Sequence, residues 1–353
     1  MEAKDKARLQ REITDILQRY QGAGYFPSAS VRVFDRHETL AAAWVGDARE
    51  DSLFDVASLT KIATATQIFH LIRQGRMTLQ TALRSLLPEI EADPYLRERM
   101  RDISLFQLLT HTSTLPAWYP FYSRQGQDFY AVLAYALQHT EPTQGMVYSD
   151  LNFMLLGKVI ERAYGKPLDR CLQEELVDPL RLGQMTYHPD PGSPVVPSSY
   201  GNPIEAQMCR DRGISFAGFR PDSQPVTGQA NDGNCFYYFG GVSGHAGIFA
   251  HPAAYERLCQ FYMTASDPLL IEAQREQPGA PGRGLGFQMG ISYPHGCGHT
   301  GFTGTGIYFS SACGIGVVSF TNRLFYPEGN SQQTWEFRRA LHEAVFALGA
   351  DGY

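Results

Sequence analysis

Ser58 and Lys61 stand three residues apart in FDVASLTKIATAT (residues 54 to 66), where an extended apolar segment gives way to a helical pattern. With Ser58 at the start of that helix, the two side chains share a face, so hydroxyl and amine can meet. Partial positive charge at a helix start favours a developing alkoxide. Ala57, Leu59, Ile62 and Ala63 are apolar neighbours that can shield the lysine from water. A shielded lysine loses part of its preference for the charged form and can accept the serine proton. That is the chemistry of a nucleophile with its base. S-x-x-K also describes many helix caps and solvated first turns, so its meaning depends on what the fold brings beside it.

Two later stretches could complete a site. In GMVYSDLNFMLLGKVIE (145 to 161), Tyr148, Ser149 and Asp150 end a loop just before an amphipathic helix. A phenol there could relay a proton, and Asp150 could orient Lys61; equally, Ser149 or Asp150 could cap the helix while Tyr148 packs. In GHTGFTGTGIYFSS (298 to 311), His299, Thr300 and Gly301 open a β pattern whose small residues let a ligand approach a strand edge. Alternatively, they form a tight turn with an incidental histidine. His295, Cys297 and His299 alternate and would share one face of a strand. They lack a fourth metal ligand, so no metal is expected. His111 in LLTHTST is read as a structural histidine bonding a loop backbone. Neither a Walker loop nor H-E-x-x-H occurs, and no cofactor is expected.

These residues need a framework to hold them. The chain has 353 residues, 43% hydrophobic and 19% charged, with 34 Gly and 21 Pro, the composition of a loop-rich globular enzyme. A net charge of −6 without a Lys/Arg run speaks against nucleic acid as a partner. The N-terminal segment places Leu9, Ile13, Ile16, Leu17 and Tyr20 on one helical face. It has no continuous apolar core of the secretory kind, and no stretch is long enough for a membrane span. A cytoplasmic location is expected, or a periplasmic or secreted one if a leader has been removed. Six scattered cysteines without C-x-x-C read as buried free thiols.

PSASVRVFD and TLAAAWVG predict a hairpin, KIATATQIFHLIRQG a helix stopped by Gly75, and residues 79 to 180 mostly helices. Residues 186 to 235 read as long loops. GLGFQMGISYP, TGIYFSSA and GIGVVSFTN predict strands, and QTWEFRRALHEAVFALGA a final helix. Strands at both ends with helices between imply one sheet assembled from the two chain ends.

The ordered set Ser58-Leu-Thr-Lys61, Tyr148-Ser149-Asp150 and His299-Thr300-Gly301 resembles the serine β-lactamase and penicillin-binding-protein superfamily, with its S-x-x-K, Y-x-N and K/H-[ST]-G motifs. With LLTHTSTLP (108 to 116) and GGVSGHAGIF (240 to 249), the resemblance spans nearly the whole chain and looks most like the class C branch. It implies an α/β, β-lactamase-like fold forming a single catalytic domain. An antiparallel sheet from about 1–60 and 283–353 would be flanked by helices, with a mainly helical insertion at about 61–282. It implies that Ser58 forms an acyl-enzyme and that Lys61 and Tyr148 carry the protons. The backbone N–H groups of Ser58 and Phe302 would form the oxyanion hole, each donor lowering the barrier by roughly 3–4 kcal/mol. Asp150, His299, Thr300, Gly301, His245 and Asp232 would contact substrate.

Two departures shape the expected chemistry. Asp150 replaces an asparagine and cannot donate to a substrate carbonyl while ionised. His299 replaces the lysine of true β-lactamases, so the grip on a β-lactam carboxylate is weaker. The sequence resembles low-mass penicillin-binding proteins and muropeptide amidases of that branch, though of their V-H-D-E string only Asp232 is kept. An amidase or D,D-carboxypeptidase acting on cell-wall peptides is expected. An esterase, an acyltransferase or a weak β-lactamase are alternatives of the same chemistry. A sensor that binds penicillin without turnover is the alternative from another class.

Overall fold

The computed structural model describes residues 2–326 and 331–350. Its main sheet has five antiparallel strands in the order β2-β1-β8-β7-β6. β1 (Ala29–Asp35) and β2 (Thr39–Val45) are the predicted hairpin; β6 (Cys297–Thr300), β7 (Gly306–Ser310) and β8 (Ile315–Thr321) come from the other end of the chain. β1 and β8 join the two ends, with Val31 opposite Ser319. The sheet is thus built from both termini, as the strand patterns require.

Alternation along the strands assigns side chains to two cores. Val31, Val33, Tyr308 and Val317 face the helices Ala3–Gly22 and Ser331–Ala350, meeting Leu9, Ile13, Leu17, Phe337 and Leu341. Their neighbours Ile307, Phe309, Val318 and Phe320 face the larger core under the helical part of the chain. Helix Pro252–Met263 lies against β1, β7 and β8 on that second face. A small sheet, ordered β3-β5-β4, ties β3 (Phe54–Asp55) to β5 (Phe249–Ala250) and β4 (Met185–Thr186). It anchors the chain just ahead of Ser58.

Two expectations change. GLGFQMGISYP is not a strand: residues 284 to 294 form a turning segment in which Gln288 bridges singly to Arg283 and Gly298. Gly286 and Gly290 both take positive φ there, which interrupts a ladder. Residues 186 to 235 are not loop throughout, since Pro203–Asp211 is helical, with proline at its first turn and Cys209 buried. Five of the six cysteines are buried, and all six are free thiols.

Candidate active site

Ser58 lies within a 3₁₀ turn, Ala57–Leu59, that runs directly into the helix Thr60–Arg73. Ala57 has φ 46°, a left-handed conformation that costs a non-glycine residue about 1 kcal/mol or more. Asp55 holds it there. Its Oδ1 accepts from Ala57 N at 2.8 Å, and its Oδ2 from Asn231 N at 2.6 Å. Burial, partly offset by those two amides, pushes the Asp55 carboxyl up to about 6. The sequence reading missed this residue. A carboxylate accepting from the N–H two residues on is a local turn signal that could have exposed it.

Lys61 is fully buried and is the hub of the site. Its Nζ donates to Ser58 Oγ at 2.8 Å, to Asp150 Oδ1 at 2.8 Å and to the His245 carbonyl at 3.2 Å. It also lies 4.8 Å from the centre of the Tyr148 ring. Burial by itself would favour the neutral amine, but the carboxylate of Asp150 and the adjoining Tyr148 overcome it, and the net shift is upward. This corrects the expectation that shielding would free the amine to act as a base. At neutral pH Lys61 is an ammonium donating to Ser58 Oγ.

Tyr148 sits among aromatic rings. His111 packs 4.6 Å from it and His299 5.9 Å, centre to centre. His111 ends its helix in a left-handed conformation, and its Nδ1 accepts from Ser149 N at 3.0 Å. It therefore holds the loop that presents Tyr148, as read from sequence. Ser149 occupies the N-cap of helix Asp150–Tyr164, but its hydroxyl donates to the Pro116 carbonyl at 2.7 Å. Asp150, at the first helical position, turns to Lys61 rather than capping.

The β6–β7 turn is laced to the nucleophile segment. Thr303 Oγ1 donates to the Asp55 carbonyl at 2.8 Å and Thr305 Oγ1 to the Val56 carbonyl at 2.9 Å. Phe302 lies between these contacts and Gly301, with its side chain exposed. A Cβ on Gly301 would fall 2.1 Å from Thr305 Oγ1 and 2.4 Å from the Val56 carbonyl oxygen. Gly301→Ala is therefore expected to cost about 1–3 kcal/mol of stability and to slow acylation by pushing this turn off Ser58. Thermal unfolding together with the rate of labelling by a fluorophosphonate checks both.

His299 does not stand open at a strand edge, since it is fully buried. Its Nδ1 donates to the Thr300 carbonyl at 2.9 Å. The proton is thereby fixed on Nδ1, and Nε2 is an acceptor without a partner among the described residues. Burial, reinforced by the charges of Lys61 and Arg283, holds the imidazole well below the usual histidine range, so it is neutral. Thr300 alone of the triplet lines an open cleft of about 980 Å³ between the turning segment and the C-terminal helix. His295 precedes β6 in a left-handed turn, and Cys297 is buried in the core, so the alternating His-Cys-His face does not form.

His245 and Asp232 also differ from the substrate-lining role. They are paired with each other, Nε2 to Oδ1 at 2.9 Å, while Ser243 Oγ meets His245 Nδ1 at 2.8 Å. Toward Lys61, His245 presents its backbone carbonyl, which accepts from Nζ at 3.2 Å. Burial disfavours the Asp232 carboxylate, but His245 outweighs it and draws the group below the usual range.

A family model described as Beta-lactamase matches residues 13–341. An N-acetylmuramyl-L-alanine amidase from Bacillus subtilis (strain 168) is 28% identical over 308 residues, 78% of this chain and 69% of its own length. A "Putative D-alanyl-D-alanine carboxypeptidase" from Salmonella agona (strain SL483) is 26% identical over 360 residues, 87% of this chain and 81% of its own. A class C β-lactamase crystal structure superposes with a TM-score of 0.72 at 16% identity, covering 97% of this chain and 99% of that one. A hydrolase with promiscuous acyltransferase activity gives 0.71 at 18%, covering 96% and 99%. The two superpositions establish the fold.

Proposed function

The chain belongs to the β-lactamase family of serine hydrolases, and on that premise we propose that Ser58 is its nucleophile and that it cleaves amide bonds of cell-wall peptides as an amidase or D,D-carboxypeptidase. The observation that carries this reading is the 2.8 Å contact between Ser58 Oγ and a buried Lys61 that is itself paired with Asp150 and packed on Tyr148.

Ser58 Oγ bonds to the scissile carbonyl carbon and gives its proton to Lys61 as Lys61 hands one of its own, through the Tyr148 hydroxyl, to the scissile nitrogen. The C–N bond then breaks, the amine departs, and an ester is left on Ser58. Water then attacks the ester, and the same groups move its proton. The backbone N–H groups of Ser58 and Phe302 receive the developing oxyanion, since the Thr303 and Thr305 contacts hold the two segments side by side. Asp150 keeps Lys61 charged and in place. Thr300 borders the substrate, and Gly301 lets the β6–β7 turn lie close against the Val56 carbonyl. The substrate class is supported by the two relatives whose names denote enzymes of cell-wall peptides.

The test is product analysis. Incubation with a panel of muropeptides is expected to release either a free peptide from the muramyl group or terminal D-alanine, identified by mass spectrometry. Turnover of a chromogenic short-chain ester with no release from any muropeptide would move the assignment to an esterase. Stoichiometric labelling by a fluorescent penicillin without any turnover would move it to a sensor.

A further inference from the structure

The three residues Asn231, Asp232 and Gly233 form one turn that touches both the nucleophile segment and the lysine. Asn231 N donates to Asp55 Oδ2, and the other oxygen of that carboxyl holds Ala57 ahead of Ser58. Asp232 pairs with the imidazole of His245, whose carbonyl accepts from Lys61. Gly233 is gripped from outside the site, its N–H donating to Glu205 Oε1 at 2.6 Å. Glu205 is buried, in the first turn of helix Pro203–Asp211. The contact is close, since a Cβ on Gly233 would fall 2.2 Å from Glu205 Oε2. Asn202, just ahead of that helix, holds the same turn, its Nδ2 donating to the Asn231 carbonyl at 2.7 Å.

Glu205 is poorly supplied with donors. Its Oε2 is buried and makes no hydrogen bond among the described residues. The groups that face it are Asp232, the Arg220 guanidinium, the Cys235 thiol and the Tyr122 hydroxyl, which itself meets Cys209 Sγ at 3.4 Å; Asp55 faces the turn from its other side. Burial and the Asp232 carboxylate push Glu205 up to about 8, against the Gly233 N–H, Tyr122 and Arg220. With its proton on, Glu205 is neutral, and the charge of Asp232 is directed to His245 alone. With the proton off, two carboxylates flank a turn of three residues, one of them short of partners.

We propose that Glu205 is a positioning residue: through the turn it sets Ser58 and Lys61 for reaction, and it does so only while it carries its proton. This rests on the reading of Ser58 as the nucleophile. Once Glu205 ionises, repulsion from Asp232 draws the turn away, and Asp55 and the His245 carbonyl shift with it. Reaction at Ser58 then slows well before Lys61 gives up its own proton, because the Lys61 value lies above 10.5.

The experiment is the rate of fluorophosphonate labelling of Ser58 in the full chain at a series of pH values on both sides of 8, read by intact-protein mass spectrometry. The unaltered protein is expected to lose roughly three- to tenfold in a one-proton step near pH 8. Glu205→Gln keeps the acceptor for Gly233 and has no proton to lose, so its rate is expected to stay level through that range. Glu205→Ala removes the acceptor and is expected to label about tenfold more slowly than Glu205→Gln at every pH, also without a step. A residue that only supports the fold would change the rate and leave its pH dependence as it was. Should Glu205→Ala fail to fold, the profile of Glu205→Gln decides by itself. A step that persists in Glu205→Gln, or that is missing from the unaltered protein, overturns the assignment and leaves the Ser58 reading standing. No adduct on Ser58 at any pH counts against the nucleophile itself and the assignment with it.

Discussion

Ser58→Ala is expected to abolish every covalent adduct with a fluorophosphonate or penicillin and to lower amide turnover by about 10⁴- to 10⁶-fold. Removing the hydroxyl deletes the atom that forms the acyl bond, and no neighbour can replace it. Lys61 cannot, because it is an ammonium held by Asp150. The fold should survive, since Ser58 is only partly buried and its side chain makes one recorded bond in the site, accepted from Lys61. Intact-protein mass spectrometry reads the adduct, and thermal unfolding reads the fold. An adduct mapped to another residue in the altered protein would remove Ser58 from the mechanism.

Asp150→Ala should have the largest effect on stability. It strips the counter-charge from a lysine that is completely buried, and breaking such a pair costs about 3–5 kcal/mol. Some of that is relieved because Asp150 keeps 18% of its side chain exposed and water can enter. The pH dependence follows from the upward shift of Lys61. Its stabilising contribution is fully present below the ordinary lysine value of 10.5 and is lost as pH rises through the higher folded value. The loss caused by Asp150→Ala should therefore be greatest at low pH and shrink as pH rises through the lowered Lys61 value of the altered protein, read by urea unfolding at a series of pH values. Activity should respond differently. Without the carboxylate the burial of Lys61 prevails, the neutral amine appears at lower pH, and the alkaline limb of the kcat/KM profile, where the ammonium is lost, moves downward. An unmoved limb would mean that Lys61 takes no part in the titration that controls the rate. Asp150→Asn, which retains an acceptor, should recover part of the stability but not the position of the limb.

The charge state of Lys61 also explains where the local reading of this motif stops. Shielding by Leu59, Ile62 and Ala63 is visible in the sequence, and burial does favour the neutral amine. The opposing charge comes from Asp150, 89 residues further along, at 2.8 Å. The sign of the shift is set by that contact, which no local pattern contains.

Much was fixed by sequence alone because it depends on short-range periodicity and on the types of residue that chemistry demands. The hairpin β1–β2, the strands β7 and β8 and the flanking helices follow from alternation of two and of three to four residues. The spacing of Ser58 and Lys61 guarantees that they meet once a helix forms. What the tertiary structure decided is everything carried by contacts between distant segments. It fixed the left-handed Ala57 through Asp55 and Asn231, and it withdrew His245 and Asp232 into a pair of their own. It also fixed the tautomer of His299 and placed Arg283 against Tyr148. Arg283 directly precedes a segment, residues 284 to 294, whose apolar residues read as a strand but whose glycines turn it. Burial and charge act through space, and only the folded chain sets which charges are close enough to oppose or complete one another.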